Sequence, residues 1–355
     1  MIVIDGSKGE GGGQIIRTAL AMSVLTGEPF EAFNIRKGRC DPGLKTQHLF
    51  CIKALGELSH SRYEGAVVGS EVLKFFPGKV EPGTVSVDVG TAGSTTLLMQ
   101  SLLVPILFGP GKVRLRLEGG TDVPWSQPFD YFSEVLFPHL ARLCQRHSIS
   151  LTRRGYFPKG GGQLEIELTP KFPRDTPHFE IYQKSIQAHK FDLVERGKLV
   201  AIRGIAHSSA DLDGVAERMA RSARLALKVD VPVRILTSYS NSLSPGCGIT
   251  LWAVFLNSKG EVDPINPVIL GADCLGEKKK RAEDVGLEAA NSLMKLISSE
   301  AVVDPYLADQ LVPFLAMVGG SIRASEVTNH CKSNMEIVEL FLGKRFKVEN
   351  NIIKV

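Results

Sequence analysis

The sequence predicts a mixed α/β fold in which one unit of strands and helices is repeated and a second, smaller α/β domain is inserted. An apolar run at the N-terminus leads into a glycine-rich loop and then into a helical pattern. The same order returns from residue 84 and again at the C-terminus, which indicates an internal repeat. Between the second and third copies lie roughly a hundred residues with their own alternation of strand and helix patterns.

Composition is that of an ordinary globular chain. Of its 355 residues, 43% are hydrophobic and 23% are charged, and 42 basic against 38 acidic residues leave a net charge of only +4. Without a global positive field, any phosphate site must be a local cluster of Arg and Lys. The apolar stretches are interrupted well before they reach about 18 residues, the length of a membrane span. The N-terminus lacks a signal-peptide pattern. We therefore expect a cytoplasmic protein without a membrane partner. Six scattered cysteines with no C-x-x-C pair argue against a zinc site or a disulfide framework.

The first unit begins with an apolar strand at residues 2–4, a glycine loop at 9–13 and a helix at 14–26. Glycine permits positive φ and close approach to a ligand, and the free N–H groups of a helix start favour an anion, so the loop predicts a phosphate site. It matches neither the G-x-x-x-x-G-K-[ST] loop nor a dinucleotide fingerprint. A glycine turn that only lets strand and helix pack closely is the alternative.

Polar side chains stand on one face of this helix start. Glu10, Gln14 and Arg17 are four and then three residues apart, so a carboxylate, an amide and a guanidinium could together hold a metal ion and phosphates. The loop after the next strand and the helix start beyond it add three groups suited to phosphate oxygens: Arg36, Arg39 and Gln47. A basic loop that simply faces solvent is the alternative.

The second unit repeats the order of the first, with a strand at 84–89, a helix to 108, a strand at 113–117, a loop at 119–128, a helix at 129–146 and a hairpin at 148–169. Asp5 to Gly27 spans 22 positions and Asp88 to Gly109 spans 21, which favours a duplication. Trp125 and Pro128 in the loop could pack on a base or only close a turn.

The third unit is predicted from a helix at 306–318, a strand at 321–325, a loop at 326–333, a helix at 334–342 and a closing hairpin at 345–355. Loops at the same place in each unit should converge on one cleft. We therefore divide the chain into a repeated-unit core, residues 1–183 and 301–355, and an inserted small α/β domain, residues 184–300. The basic run at 278–281 in the insert is interpreted as solvated surface.

Four motifs resemble one known family. The run R-G-x-x-P-x-G-G-G-x-L at residues 154–164 closely resembles the signature of RNA 3′-terminal phosphate cyclases. Similar to the same family are D-G-x-x-G-E-G-G-G-Q-x-x-R at 5–17, R-x-G-R-x-x-P-G-L-x-x-Q-H at 36–48 and Y-L-A-D-Q-L at 306–311. The resemblance covers both ends and nearly all of the core, while the insert matches more weakly.

The resemblance implies an enzyme of the ligase class that uses ATP to convert an RNA 3′-terminal phosphate into a 2′,3′-cyclic phosphate, releasing AMP and diphosphate. It implies ATP and RNA 3′-phosphate ends as partners and a divalent metal, Mg or Mn, as cofactor; a homodimer is left open. Members of the family have core units similar to those of enolpyruvyl transferases and an inserted thioredoxin-like domain. The repeated core units fit the threefold β-α-β-α-β-β order, and the inserted domain fits the extra residues between the second and third copies.

The resemblance also implies roles for particular residues. The family forms a covalent histidine–AMP intermediate in an H-x-x-[TS]-N context, which is His330 to Asn334 here. A neutral imidazole can attack the α-phosphorus and later leave, and the loop of His330 is one that the repeat sends to the cleft. Glu10 would hold the cation and Tyr306 would stack on adenine. The rest of the nucleotide site would be Gln100, Pro128, Asp309 and Gln310, and the groups near the RNA or ATP phosphates would be Gln14, Arg17, Arg36, Arg39 and Gln47.

Two other function classes remain as alternatives. A catalytically silent relative could act as a scaffold in ribosomal RNA processing, but such a relative would lack the nucleophilic histidine. An enolpyruvyl-type transferase, suggested by the repeats and the arginines, would need neither His330 nor ATP. The presence of His330 favours the enzyme.

Overall fold

The computed structural model describes residues 1–9, 11–176 and 178–355, apart from the side chain of residue 188. These residues form a mixed α/β fold with four sheets of four strands each. Buried apolar side chains from all four sheets join in one continuous core. Within the described residues, none of the helices has the length and apolar character needed to cross a membrane.

The first unit is a sheet with two helices. Its elements are β1 (Ile2–Asp5), α1 (Gln14–Thr26), β2 (Phe30–Phe33), α2 (Thr46–Ser59), β3 (Arg62–Glu64) and β4 (Leu73–Phe76). Strand β1 is parallel to β2, β2 is antiparallel to β4, and β4 is antiparallel to β3. Helix α1 buries the predicted apolar stripe and is capped by Gly27, whose φ of 82° lies in the left-handed region.

The second unit has the same pairing pattern. Its elements are β5 (Gly83–Asp88), α3 (Thr95–Leu107), β6 (Val113–Gly119), α4 (Phe129–Tyr131), α5 (Phe137–Leu140), β7 (Cys144–Arg153) and β8 (Gly162–Pro170). Strand β5 is parallel to β6, β6 is antiparallel to β8, and β8 is antiparallel to β7. The single helix predicted at 129–146 is wrong: a π-turn separates α4 from α5, and β7 begins at Cys144. Pro138 has no N–H to donate to the preceding turn, which explains the irregularity.

A short helix and strand come before the insert: α6 (Phe179–Ile186) and β9 (Phe191–Leu193). The insert then contributes β10 (Leu199–Ser209), α7 (Val215–Ala226), β11 (Val233–Ser240), β12 (Cys247–Phe255), β13 (Val268–Leu275) and α8 (Ala282–Ser298). Its strand order is β11-β10-β12-β13, so β13 is an edge strand. Helices α7 and α8 pack against each other and against this sheet.

The third unit returns after the insert with α9 (Pro305–Val318), β14 (Gly320–Arg323), α10 (Asn329–Leu342), β15 (Lys347–Glu349) and β16 (Ile352–Lys354). Strand β9 is parallel to β14, β14 is antiparallel to β16, and β16 is antiparallel to β15, which is the pattern of the first two sheets. Strand β9 therefore belongs to the third sheet although it lies inside the range predicted for the insert. Its three residues are too few to show a period in the sequence.

Helix α10 begins at Asn329, five residues before the predicted start. Thr328 is the cause, because its Oγ1 accepts the N–H of Cys331 at 3.1 Å and so caps the helix. His330 consequently lies in the first turn of α10 and not in the preceding loop.

Candidate active site

The glycine loop packs directly against the start of α2. A Cβ on Gly13 would lie 2.0 Å from Nε2 of His48, so only glycine fits this approach. Nδ1 of the buried His48 accepts the backbone N–H of Lys45 at 2.8 Å. Burial, together with the positive charges of Arg17 and Arg36, lowers the pKa of His48 to about 3. His48 is therefore a neutral packing residue under the loop.

Gln14, at the start of α1, joins two helices of the third unit. Its Nε2 donates to Oδ1 of Asp309 on α9 at 2.5 Å, and its Oε1 lies 2.5 Å from Nδ1 of His330 on α10. A carboxylate oxygen only accepts, so Asp309 assigns the nitrogen of the Gln14 amide to its own side and the oxygen to the side of His330. Nδ1 of His330 must then carry a hydrogen, so the neutral form of this imidazole has its lone pair on Nε2.

Asp309 is held by a second amide. Nδ2 of Asn334 donates to the carbonyl oxygen of Asp309 at 2.9 Å and to its Oδ1 at 3.2 Å, while Oδ1 of Asn334 accepts the hydroxyl of Thr18 at 2.6 Å. Burial raises the pKa of Asp309, and the hydrogen bond from Gln14 partly offsets that effect. Thr18 was not predicted from the sequence, and Asn334 was named only as the last residue of the His330 motif, without a role. Each lies four residues after a predicted one, Gln14 and His330, and so on the same helix face.

The predicted residues of α9 share one helix face. Tyr306 is 55% exposed and its ring lies edge-on to Tyr131, with 6.5 Å between the ring centroids. Nε2 of Gln310 donates to Oε1 of Gln127 at 3.4 Å, which ties α9 to the loop that precedes α4. An accessible aromatic ring and an amide thus lie one helical turn apart, as predicted.

The N-terminus of α9 is fixed by a buried carboxylate that was not predicted from the sequence. Oδ1 of Asp304 accepts the backbone N–H groups of Tyr306 and Leu307, each at 3.0 Å, and the hydroxyl of Tyr131 at 2.6 Å. Its Oδ2 accepts the N–H of Gly271, on the edge strand β13 of the insert, at 3.0 Å. The insert therefore contacts the residue that caps the helix of the candidate site.

Two of the predicted arginines lie near the glycine loop. Nε of Arg17 is buried and has no hydrogen-bond partner among the residues that the structure describes, and burial lowers the pKa of Arg17. Arg39 is exposed, and a Cβ on Gly12 would lie 3.6 Å from its Nη2 and 3.7 Å from Cε1 of His330. Arg39, Gly12 and the imidazole of His330 are therefore neighbours. A guanidinium at this position suits an anion.

The other predicted residues make contacts at the margin of the site. Nη1 of Arg36 donates to the carbonyl oxygens of Asp41 at 2.8 Å and Gly43 at 3.2 Å, within its own loop. Nε2 of Gln47 donates to the carbonyl oxygen of Ser94 at 2.9 Å and so joins the first unit to the second. Pro128 is buried at the start of α4. Glu10, the predicted metal ligand, lies outside the described residues.

A small cavity of about 30 Å³ lies between the three units. Its polar lining consists of predicted residues together with Asn334 and Thr18; the predicted ones are Gln14, Arg17, Gln100, Asp309 and Gln310. Helix residues from α1, α3, α9 and α10 thus meet at one place. That the loops of the three units converge on one cleft stays a prediction.

The glycine signature at 154–164 has a different role. The guanidinium of buried Arg154 binds Asp122 through Nη1, at 3.1 and 3.2 Å, and Asp130 through Nη2, at 3.0 and 2.8 Å. His207 of the insert places Nε2 3.3 Å from Oδ1 of Asp122. Two carboxylates and an imidazole are a set that could hold a metal, but here the guanidinium already satisfies both carboxylates. Within the signature, the hydroxyl of Tyr156 lies 2.9 Å from Nδ1 of His207, so the signature joins the second unit to the insert.

A family model described as RNA 3′-terminal phosphate cyclase matches residues 8–348 of the chain. A protein of that name from Thermococcus onnurineus is 44% identical over 354 residues, which cover 99% of this chain and 96% of that protein. The protein of the same name from Pyrococcus abyssi is 44% identical over 355 residues, covering 100% and 97%. One from Saccharolobus islandicus is 42% identical over 351 residues, covering 98% and 96%. The similarity thus extends over core and insert alike.

Proposed function

Because this chain belongs to the RNA 3′-terminal phosphate cyclase family, we propose that it converts an RNA 3′-terminal phosphate into a 2′,3′-cyclic phosphate at the expense of ATP. AMP and diphosphate are the other products. Family membership rests on a match over nearly the whole chain and on full-length relatives at 42–44% identity. The protein is an enzyme of the ligase class, and the reaction is proposed to take place in the cytoplasm.

The observation that carries the mechanism is the contact between Gln14 and His330. With the hydrogen on Nδ1, the lone pair of Nε2 can attack the α-phosphorus of ATP, forming the N–P bond as the bond to diphosphate breaks. An oxygen of the RNA 3′-phosphate then attacks the AMP phosphorus, and the imidazole leaves. The neighbouring 2′-hydroxyl finally attacks the RNA phosphorus, loses its proton and expels AMP, which closes the cyclic phosphate.

The same geometry supports roles for the remaining site residues. We assign the adenine to the accessible ring of Tyr306, with Gln100, Pro128, Asp309 and Gln310 completing the nucleotide site. The phosphates of ATP or RNA are assigned to three arginine and two glutamine side chains in the loops and at the helix starts: Gln14, Arg17, Arg36, Arg39 and Gln47. The buried Nε of Arg17, which has no hydrogen-bond partner among the described residues, fits this assignment because a phosphate oxygen would satisfy it.

A divalent cation, Mg or Mn, is proposed to be held by Glu10 beside the ATP phosphates. Glu10 lies between Gly9 and Gly11 in the chain, and the next glycine, Gly12, neighbours Arg39 and His330. A cation there would neutralise phosphate charge as the imidazole attacks. A carboxylate and phosphate oxygens are a donor set that suits such a cation.

We also propose a finer assignment of the fold. The shared pairing pattern of three sheets supports a core of three β-α-β-α-β-β units similar to those of enolpyruvyl transferases. We propose a core of residues 1–183 and 301–355 and a thioredoxin-like insert within 184–300, with β9 assigned to the core. A homodimer stays a hypothesis. A silent scaffold is disfavoured because His330 is present and hydrogen-bonded to Gln14.

A direct test uses a ten-nucleotide RNA labelled at its 5′ end and carrying a 3′-phosphate, incubated with the protein, ATP and Mg²⁺ or Mn²⁺. The labelled RNA should be converted into a product whose 3′-terminal phosphate resists removal by phosphatase. Mild acid should open the cyclic phosphate of this product and make the phosphate removable again. An RNA with a 3′-hydroxyl and a reaction without ATP are the controls. If folded protein that binds ATP leaves the terminal phosphate open to phosphatase, the proposed reaction is wrong.

A further inference from the structure

The loop at 119–128 holds out the most exposed large apolar side chain of the described residues. Trp125 is 97% exposed, whereas Leu225, the next most exposed, is at 75%. A single exposed aromatic residue needs no explanation by itself. Three further features distinguish Trp125 from an ordinary exposed residue. They are its backbone conformation, its closeness in the chain to a residue that contacts the candidate site, and a second exposed aromatic residue beside its loop.

The backbone of this loop is fixed on both sides of Trp125. Trp125 has a φ of 70°, in the left-handed region that bulky residues rarely adopt and that persists only when neighbouring structure imposes it. The hydroxyl of Ser126 donates to the carbonyl oxygen of Val123 at 3.1 Å, and that of Thr96 donates to the carbonyl oxygen of Gln127 at 2.8 Å. The ring is therefore held in solvent by an ordered turn.

The loop continues directly into the candidate site. The side chain of Gln127, two residues after Trp125, accepts a hydrogen bond from Gln310, and Gln310 lines the cavity that also contains Gln14 and Asp309. The exposed ring thus stands at the rim of the site and not on a remote surface.

A second exposed aromatic residue lies beside this loop. A parallel β-bridge joins Asp122 to Tyr156, and the next residue, Phe157, is 67% exposed. Lys159, two positions further, is also exposed. Aromatic faces combined with a positive charge are what proteins use to bind single-stranded nucleic acid without reading its sequence.

We propose that Trp125 is a stacking platform for a base of the RNA strand close to its 3′ end, with Phe157 and Lys159 extending the surface along the strand. The proposal rests on the proposed function, which makes RNA the substrate. Every base has a π-face, so the platform is indifferent to sequence. Because Trp125 stands at the rim of the site, the platform favours strands longer than one nucleotide. Loss of one such stack should weaken RNA binding by about tenfold to a hundredfold.

The two tryptophans of the chain make the platform directly observable. Trp252 is only 5% exposed, in β12 of the insert, so a change of intrinsic fluorescence on RNA addition reports Trp125. The full chain is titrated without ATP against a ten-nucleotide RNA with a 3′-phosphate. Binding is also followed independently by the anisotropy of a labelled copy of that RNA. Saturable quenching in the parent is expected.

Variants separate stacking from other causes. By anisotropy, Trp125→Ala should bind the ten-nucleotide RNA about tenfold to a hundredfold more weakly, whereas Trp125→Phe should retain most of the affinity because a ring remains. Leu225→Ala, which removes an exposed apolar side chain of the insert, should bind like the parent. A 3′-phosphorylated mononucleotide in place of the RNA should show no such difference between Trp125→Ala and Leu225→Ala.

The proposal is overturned if saturating RNA leaves the parent fluorescence unchanged, or if Trp125→Ala binds the ten-nucleotide RNA as tightly as Leu225→Ala. It is equally overturned if Trp125→Ala loses as much affinity for the mononucleotide as for the ten-nucleotide RNA. Because the titration contains no ATP, its outcome does not depend on AMP attachment to the protein. The stacking platform and the proposed reaction can therefore fail separately.

Discussion

Nδ1 of His330 lies 2.5 Å from Oε1 of Gln14, and the nitrogen of the same amide lies 2.5 Å from Asp309. One glutamine thus contacts both the imidazole and the carboxylate, and Asp309 fixes which atom of the Gln14 amide faces His330. In many enzymes a nucleophilic side chain is oriented by a neighbouring group, which is itself held by a third group. Gln14 and Asp309 are arranged in this way behind His330.

Asp309→Asn tests this arrangement. Oδ1 of Asp309 accepts from both Gln14 and Asn334, so the amide oxygen of the variant should stay at that position. A neutral oxygen accepts less strongly than a carboxylate and holds Gln14 more loosely, so the rate of AMP attachment should fall by about tenfold. Single-turnover rates at saturating ATP separate this effect from weaker ATP binding. Asp213→Asn, an exposed carboxylate of the insert, is the control. An unchanged rate at saturation, with only the ATP affinity altered, would remove the positioning role.

Gly13→Ala should destabilise the protein, because the added Cβ would meet Nε2 of His48 at 2.0 Å. Forcing an atom into such a contact typically costs about 1–3 kcal/mol. Gly12→Ala is the matched control, since its nearest contacts would be ordinary ones of 3.6 and 3.7 Å. Urea unfolding of both variants decides the matter. Equal midpoints for Gly12→Ala and Gly13→Ala would show that the loop does not need glycine at position 13.

Asp304→Asn should weaken the attachment of the insert to α9. Oδ1 must keep accepting three donors, so the NH₂ group is left facing the N–H of Gly271 and two donors oppose each other. A lost hydrogen bond at a buried site costs about 1–3 kcal/mol. We expect a lower thermal midpoint and weaker ATP binding, measured by calorimetry. If Asp304→Asn matches the exposed control Asp230→Asn in both, the insert does not position α9.

Acid should destabilise the fold through three buried histidines: His48, His139 and His207. Burial lowers the pKa of each to about 3, so each is neutral in the folded chain and takes up a proton on unfolding below its ordinary pKa of about 6.5. Their full contribution to stability is present above pH 6.5 and is lost as the pH falls towards 3. Each should lower the free energy of unfolding by up to about 1.4 kcal/mol per pH unit in that window.

His139→Leu isolates one of these terms. Neither ring nitrogen of His139 has a hydrogen-bond partner among the described residues, so the substitution removes the titration without breaking a bond. Urea unfolding at pH 7 and pH 5 should show a shallower pH dependence than the parent by about one proton. Leu225→Ala, at an exposed position without a titrating group, should keep the parent slope. An unchanged slope in His139→Leu would contradict the assignment.

Helical and strand periods revealed the repeated units because each unit contains helices long enough to show an apolar stripe, as α1 and α9 do. Strand β9 could not be predicted, since three residues carry no period and their place is set by pairing with β14. The start of α10 was missed because a single hydroxyl, that of Thr328, fixes it. Motifs named residues that the structure brings together, such as Gln14 and His330. They could not reveal Asp304, whose partners come from the insert and from Tyr131.

The measurement that tests the central claim most directly is the intact mass of the protein after incubation with ATP and a divalent metal. The parent should gain the mass of one AMP, and this adduct should be lost in acid and persist in alkali, as expected of a phosphoramidate at a ring nitrogen. His330→Asn retains polarity and comparable size but lacks the nucleophile, so its mass should stay unchanged while ATP still binds. An AMP adduct on His330→Asn, or none on a parent that binds ATP and cyclises RNA, would contradict the assignment of His330 as the nucleophile.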